Sequence, residues 1–204
     1  MCQYSAENGN PSKWHYGHFQ NLALTGAGML MFESTAVSHD GRITSNDLTL
    51  CNKDNENALK AIVNYLRSFS EIPMGLQISH AVRKGSAHVP WVKDNAPLKL
   101  DENAWETVAL SSIERTEGWP KPKSLTINQI NEFVVDFKNA ALRAKRIGFD
   151  GLEIDMAHGC LLHQFFSPIS NIRMDEFGGS LENRSRLLIE ITTEVRKIWP
   201  EKKY

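Results

Sequence analysis

The sequence has few cysteines. Cys2, Cys51 and Cys160 are far apart and odd in number. That argues against a disulfide framework and fits a reducing, cytoplasmic setting. No CxxC pair occurs, so no structural zinc site, and no metal, is expected. No run of about 18 apolar residues occurs, so neither a transmembrane helix nor a membrane partner is expected. Met1–Ser5 has no charged segment leading into an apolar one, so no secretion signal is read there. Positive charge is not in excess: Lys+Arg 23 against Asp+Glu 24 gives a net −1. This excludes a broad basic field for nucleic acid. Internal repeats and low-complexity tracts are also missing.

What is present is an ordinary globular composition, 204 residues with 41% hydrophobic and 23% charged. A chain of this length can bury a real core. Short apolar runs alternate with longer helical periods, the pattern of βα units on a parallel sheet. Residues 29–37 read as a buried strand. Residues 55–69 place Leu59, Ile62, Val63, Leu66 and Phe69 on one helical face, with Asp54 as N-cap. Residues 73–79 form a second apolar strand. Residues 80–124 lack a period, and a loop this long in a compact domain is usually functional or disordered. Thr126 and Gln129 make a capping box for a helix that Gly148 ends. Residues 149–154 are a third strand, and 182–199 a final helix capped by Ser180. Residues 14–25 are read as helical. With a strand at 1–4, the chain then holds four βα units, half of a (β/α)8 barrel, whose active sites lie at the C-terminal strand ends.

Those ends carry hydrogen-bonding groups. They are Cys2, Gln3 and Tyr4; Glu33-Ser34-Thr35; Gln77 running into His80-Ala81-Val82-Arg83-Lys84; and Glu153, Asp155 and His158. Any one of these could be a solvated rim residue. On four successive strand ends the set points to a site.

Four blocks resemble the Old Yellow Enzyme family of FMN-dependent NAD(P)H:flavin oxidoreductases. They are MCQYS, FESTAVSHDGRIT, GLQISHAVRKGSAHVPW and EIDMAHGCLLHQFFSPISNIRMDEFGGSLENRSR, in the family's order. The long final block is the most specific. Within the family the chain resembles the bacterial branch of xenobiotic and enone reductases with a cysteine after the first strand. Val82–Trp91 also resembles relatives acting on CoA thioesters.

The resemblance implies a fold class: an α/β TIM barrel of the FMN-linked type, here as its first four βα units with a long loop after strand 3. It also implies FMN as cofactor and NADH or NADPH as electron donor. The implied acceptor is a small electron-poor molecule, enone-like or CoA-thioester-linked. By resemblance Met1, Cys2 and Ser34 lie along the flavin and Gln77 meets its pyrimidine edge. Tyr4, Arg83 and Lys84 would contact the substrate. His158 would donate to the substrate carbonyl, where negative charge grows during reduction.

The chain departs from the family pattern in three places. Asp155 stands where the family usually has a histidine, and an ionised carboxylate accepts hydrogen bonds but cannot donate to an oxyanion. Cys160 stands where many members have a proton-donating tyrosine, and a thiol is the weaker donor. Val82 replaces a glycine. A β-branched residue avoids positive φ, so the loop after strand 3 is expected to be repositioned. Asp155 and Cys160 fit either a re-specialised pocket or an impaired copy. The alternative function is a degraded or partial barrel without catalysis, acting at most as a binding fragment. Residues 1–204 are expected to be the N-terminal portion of a single FMN-binding barrel domain, whose parent protein could be a homo-oligomer.

Overall fold

A computed structural model describes residues 1–201. Its centre is a three-stranded parallel sheet in the order β1 (Leu30–Ala36), β2 (Met74–Ser79), β3 (Gly151–Ile154). The connections are helical, as parallel pairing requires. Helix α1 (Lys13–Ala23) precedes β1, α2 (Lys53–Arg67) joins β1 to β2, and α3 (Ile127–Ile147) leads into β3. A short α4 (Leu161–Phe166) and the long α5 (Leu181–Ile198) follow.

Local signals set the helix ends. Thr126 and Gln129 form the expected capping box, and Gly148 closes α3 in a left-handed conformation, φ 104°. Ser180 caps α5 by accepting the Asn183 N–H. Gly178 is needed for a different reason: a Cβ there would lie 2.1 Å from the Arg173 carbonyl oxygen. The cap of α2 is Asn52, which accepts the Asn55 N–H, and Asp54 lies inside the first turn.

The core is apolar and continuous. Phe19 stacks on Phe32 at 4.0 Å, and Phe32 meets Phe149 edge-on at 5.0 Å. Leu59, Ile62 and Leu66 of α2, with Phe137, Ala140, Ala141 and Ala144 of α3, close over β1 and β2. Burying each large aliphatic or aromatic side chain stabilises the fold by about 1.5–3 kcal/mol. Among the described residues no helix is long and apolar enough to cross a membrane.

Two features differ from the sequence expectation. Residues 1–4 are not a strand. The Gln3 N–H donates to the Glu33 carboxylate (2.6 Å) rather than to a neighbouring backbone. The segment from 80 to 124 holds short 3₁₀ turns and a two-residue pairing of Val108–Ala109 with Lys123–Ser124.

Candidate functional site

The β1–β2 register shifts between Phe32 and Ser34, leaving Glu33 as an extra residue. Such bulges re-aim side chains. Glu33 turns into a buried network, where His15 Nε2 lies 2.9 Å from its Oε1. His15 Nδ1 accepts the Ser12 N–H, so the ring proton sits on Nε2 and donates to Glu33. The shift also brings Ser34, Gln77 and Glu153 to one level across the three strands. Ser34 Oγ lies 2.5 Å from Ser79 Oγ, and Gln77 Nε2 donates to Glu153 Oε1 at 2.5 Å. One of the two Gln77 amide N–H groups is thus engaged, leaving the other and the amide oxygen to meet a ligand.

At the C-terminal ends of these strands lies a cavity of about 430 Å³. Met1, Cys2, Tyr4, Ser34, Gln77, Lys84, Asp155, His158 and Cys160 line it, with Ile43 and Pro90. Of the residues assigned by resemblance, only Arg83 does not line this cavity. Its guanidinium donates to the carbonyls of Ile113 (3.0 Å) and Glu114 (3.3 Å) and pins the long loop. Ile43 and Pro90 were not legible as site residues, because each reaches the cavity only through loop folding. Trp91 was also missed; it packs edge-on against Tyr4 at 5.9 Å.

Contrary to the expectation from its β-branched side chain, Val82 does not avoid positive φ. It is buried and holds φ 47°, the left-handed backbone that a glycine would adopt without strain. The Val82 N–H donates to His80 Nδ1 at 3.0 Å. Burial lowers the His80 pKa to about 4, so the ring is neutral.

Burial, then the Asp47 carboxylate, pushes the Cys2 thiol well above its ordinary value. Cys2 Sγ lies 3.6 Å from Asp47 Oδ2. Asp47 also accepts the Ile43 N–H (2.7 Å) and the Thr44 hydroxyl (2.8 Å), and burial raises its carboxyl to about 6. Tyr4 is raised, mainly by burial.

On the β3 side, Asp155 Oδ1 accepts the Ala157 N–H at 2.8 Å. His158 and Gly159 both take left-handed backbones, φ 53° and 75°. Lys84 Nζ donates to the His158 carbonyl at 2.7 Å and lies 3.7 Å from Cys160 Sγ. Burial is the main reason that Cys160 is pushed up to about 12. Among the described residues no group of three or more His, Cys, Asp or Glu is placed to hold a metal ion.

The sequence model of the NADH:flavin oxidoreductase / NADH oxidase family matches residues 1–201. The chain belongs to this family. An NADH:flavin oxidoreductase of Gibberella zeae is 44% identical over 204 residues, covering 98% of this chain and 49% of that protein. An NADPH dehydrogenase of Clostridium acetobutylicum is 36% identical, covering 100% and 56%. The solved structure of morphinone reductase superposes with a TM-score of 0.83 at 25% identity, covering all of this chain and 55% of that one. The chain thus spans about half the length of the curated relatives it matches. The fold of the morphinone reductase structure is the TIM barrel of the FMN-linked type, and this chain forms part of one.

The chemistry of this lining suits FMN, the family's cofactor: Cys2, Ser34 and Gln77 bring polar groups, and Met1, Tyr4 and Pro90 bring apolar surface.

Proposed function

We propose that the protein of which these residues form the site is an FMN-dependent oxidoreductase. It would pass hydride from NADH or NADPH, through the flavin, to a small electron-poor acceptor. The observation that carries this reading is the single cavity lined by Cys2, Ser34, Gln77, Lys84, Asp155 and His158. They come from segments far apart in sequence, which core packing alone would not gather at one rim.

The bound flavin would supply the hydride chemistry; the chain's own residues bind and orient. Met1, Cys2, Ser34 and Gln77 would hold the ring. The thiol beside it would tune its electronics, one of the ways protein groups adjust a cofactor. His158 would donate to the acceptor's carbonyl oxygen, with Tyr4 and Lys84 beside it. Preorganised donors are worth most where charge develops. An enone or a CoA-linked unsaturated thioester fits this donor arrangement. Asp155 adds an acceptor to the pocket and weakens it as an oxyanion site. Cys160, with its thiol at about 12, is a poor proton source at neutral pH.

Anaerobic addition of NADH or NADPH to the FMN-loaded protein tests the reading. The visible flavin band should bleach and return when 2-cyclohexenone is added. A flavin that stays oxidised with both nucleotides would overturn it.

A further inference from the structure

If the site is a flavin-dependent reductase, as proposed above, acceptor reduction needs a proton as well as a hydride. Cys160 occupies the position expected to give it. Its surroundings oppose that role. The side chain is 4% exposed, stands at the N-terminus of α4, and makes no capping bond there. A thiol is also a weak hydrogen-bond donor.

Lys84 reaches the same place from β2. The left-handed turn at Val82 starts its approach. Its stem then crosses Gly159, where a Cβ would lie 3.6 Å from Lys84 Cδ. The ammonium ends against the His158 carbonyl and Cys160 Sγ. An ammonium has three N–H donors. Two are accounted for by these contacts, and one remains for the cavity that Lys84 lines with His158. Lys84 is also partly exposed, so water can return a proton to it.

We propose that Lys84 is a catalytic residue and that its Nζ, rather than the Cys160 thiol, supplies the proton to the acceptor. With an enone, the bound flavin would supply the hydride that forms the new C–H bond at the β-carbon; the C=C pair would shift to the oxygen, giving an enolate that His158 orients. An Nζ–H bond of Lys84 breaks and its proton forms the C–H bond at the α-carbon. The electron pair stays on the amine, which takes a proton from water. The left-handed His158–Gly159 backbone serves to hold this ammonium in place through the His158 carbonyl.

The test compares Lys84→Met, Lys84→Arg and Cys160→Ala in the FMN-loaded protein after reduction by NADPH. Reoxidation is followed with 2-cyclohexenone, which needs the proton, and with ferricyanide, which takes electrons only. Lys84→Met should lower the enone-to-ferricyanide rate ratio by about 100-fold, the usual weight of a positioned acid. Arginine keeps the charge but holds its protons too tightly to give one up. Lys84→Arg should therefore lose the same ratio, yet still bind p-nitrophenolate by absorbance titration, while Lys84→Met binds it more weakly. Cys160→Ala should lower the ratio far less than either. The proposal is overturned if both Lys84 variants keep the ratio, or if Cys160→Ala loses as much as Lys84→Met. Unsubstituted protein that NADPH does not bleach would instead contradict the flavin reading, and this role with it.

Discussion

The Val82 N–H donates to His80 Nδ1 from a left-handed backbone, φ 47°, with the valine side chain buried. The strain of that backbone, about 1–2 kcal/mol for a residue with a Cβ, is offset by side-chain burial of similar size. Val82→Ala keeps the strain and loses the burial, at a cost of about 2 kcal/mol. Val82→Gly loses more side chain but relieves the strain. We expect Val82→Gly to be at least as stable as Val82→Ala, whereas glycine ordinarily loses about 0.5–1 kcal/mol to alanine in regular structure. Urea unfolding of both variants decides it; glycine clearly below alanine would refute a strained Val82.

Asp136, half-buried on α3, is raised to about 6 by burial and by the carboxylates of Asp40 and Glu132. A folded pKa above the unfolded 3.8 means that the native state binds the extra proton. Stability from this group is therefore present at low pH and lost as pH rises from about 4 through 6. Asp136→Asn removes that loss. It should stabilise the fold at pH 7 by about 1 kcal/mol, after discounting for partial exposure. The gain should vanish near pH 4. Thermal melts across that range would show otherwise if the gain were constant with pH.

Glu56 behaves in the opposite way. Hydrogen bonds from Arg146 Nε (2.9 Å) and Nη2 (2.8 Å) hold its carboxyl down at about 2. The Glu56 side chain is buried at the start of α2, while Arg146 is half exposed on α3. The pair contributes stability above the ordinary carboxylate range, lost as pH falls from about 4.5 towards 2. Arg146→Met strands a buried carboxylate and should cost about 2 kcal/mol at pH 7. Denaturant unfolding at pH 7 measures it, and a cost below about 0.5 kcal/mol would mean that Lys53, the other partner at 3.3 Å, suffices.

How much of this was legible follows from where each signal lies. The ends of α3 and α5 were readable because Thr126, Gln129, Gly148 and Ser180 act within a few residues of themselves. The cap of α2 was misplaced by two residues because Asn52 and Asp54 are both good caps, and only the backbone decides between them. Helix α4 is six residues long, too short to show a period. A strand at 1–4 would have needed a neighbouring edge, and no residue in that stretch reports whether one is there. The cavity residues were legible as a set because the Old Yellow Enzyme blocks carry them in order. Arg83 was not separable from Lys84, since adjacent residues on a 3₁₀ turn point apart. One serves the long loop, the other the cavity. Val82 shows the limit of propensity: a valine can hold a glycine's conformation when burial and one hydrogen bond offset the strain.

Asp155 distinguishes a weakened site from a different one. A histidine there would add a donor beside His158. If the pocket serves carbonyl acceptors, Asp155→His should raise the rate of 2-cyclohexenone reduction by about tenfold, a modest share of what one oxyanion donor supplies. Steady-state assay of the FMN-loaded protein measures this. A drop in rate would mean that the Asp155 carboxylate itself receives the acceptor.

The most direct measurement is titration of the protein with FMN, followed by flavin fluorescence quenching, for the unsubstituted chain and for Gln77→Leu with Ser34→Val. The cavity reading predicts saturable binding of one FMN per chain, weakened at least tenfold by the double substitution. Unquenched fluorescence throughout, or binding that the double substitution leaves unchanged, would contradict it.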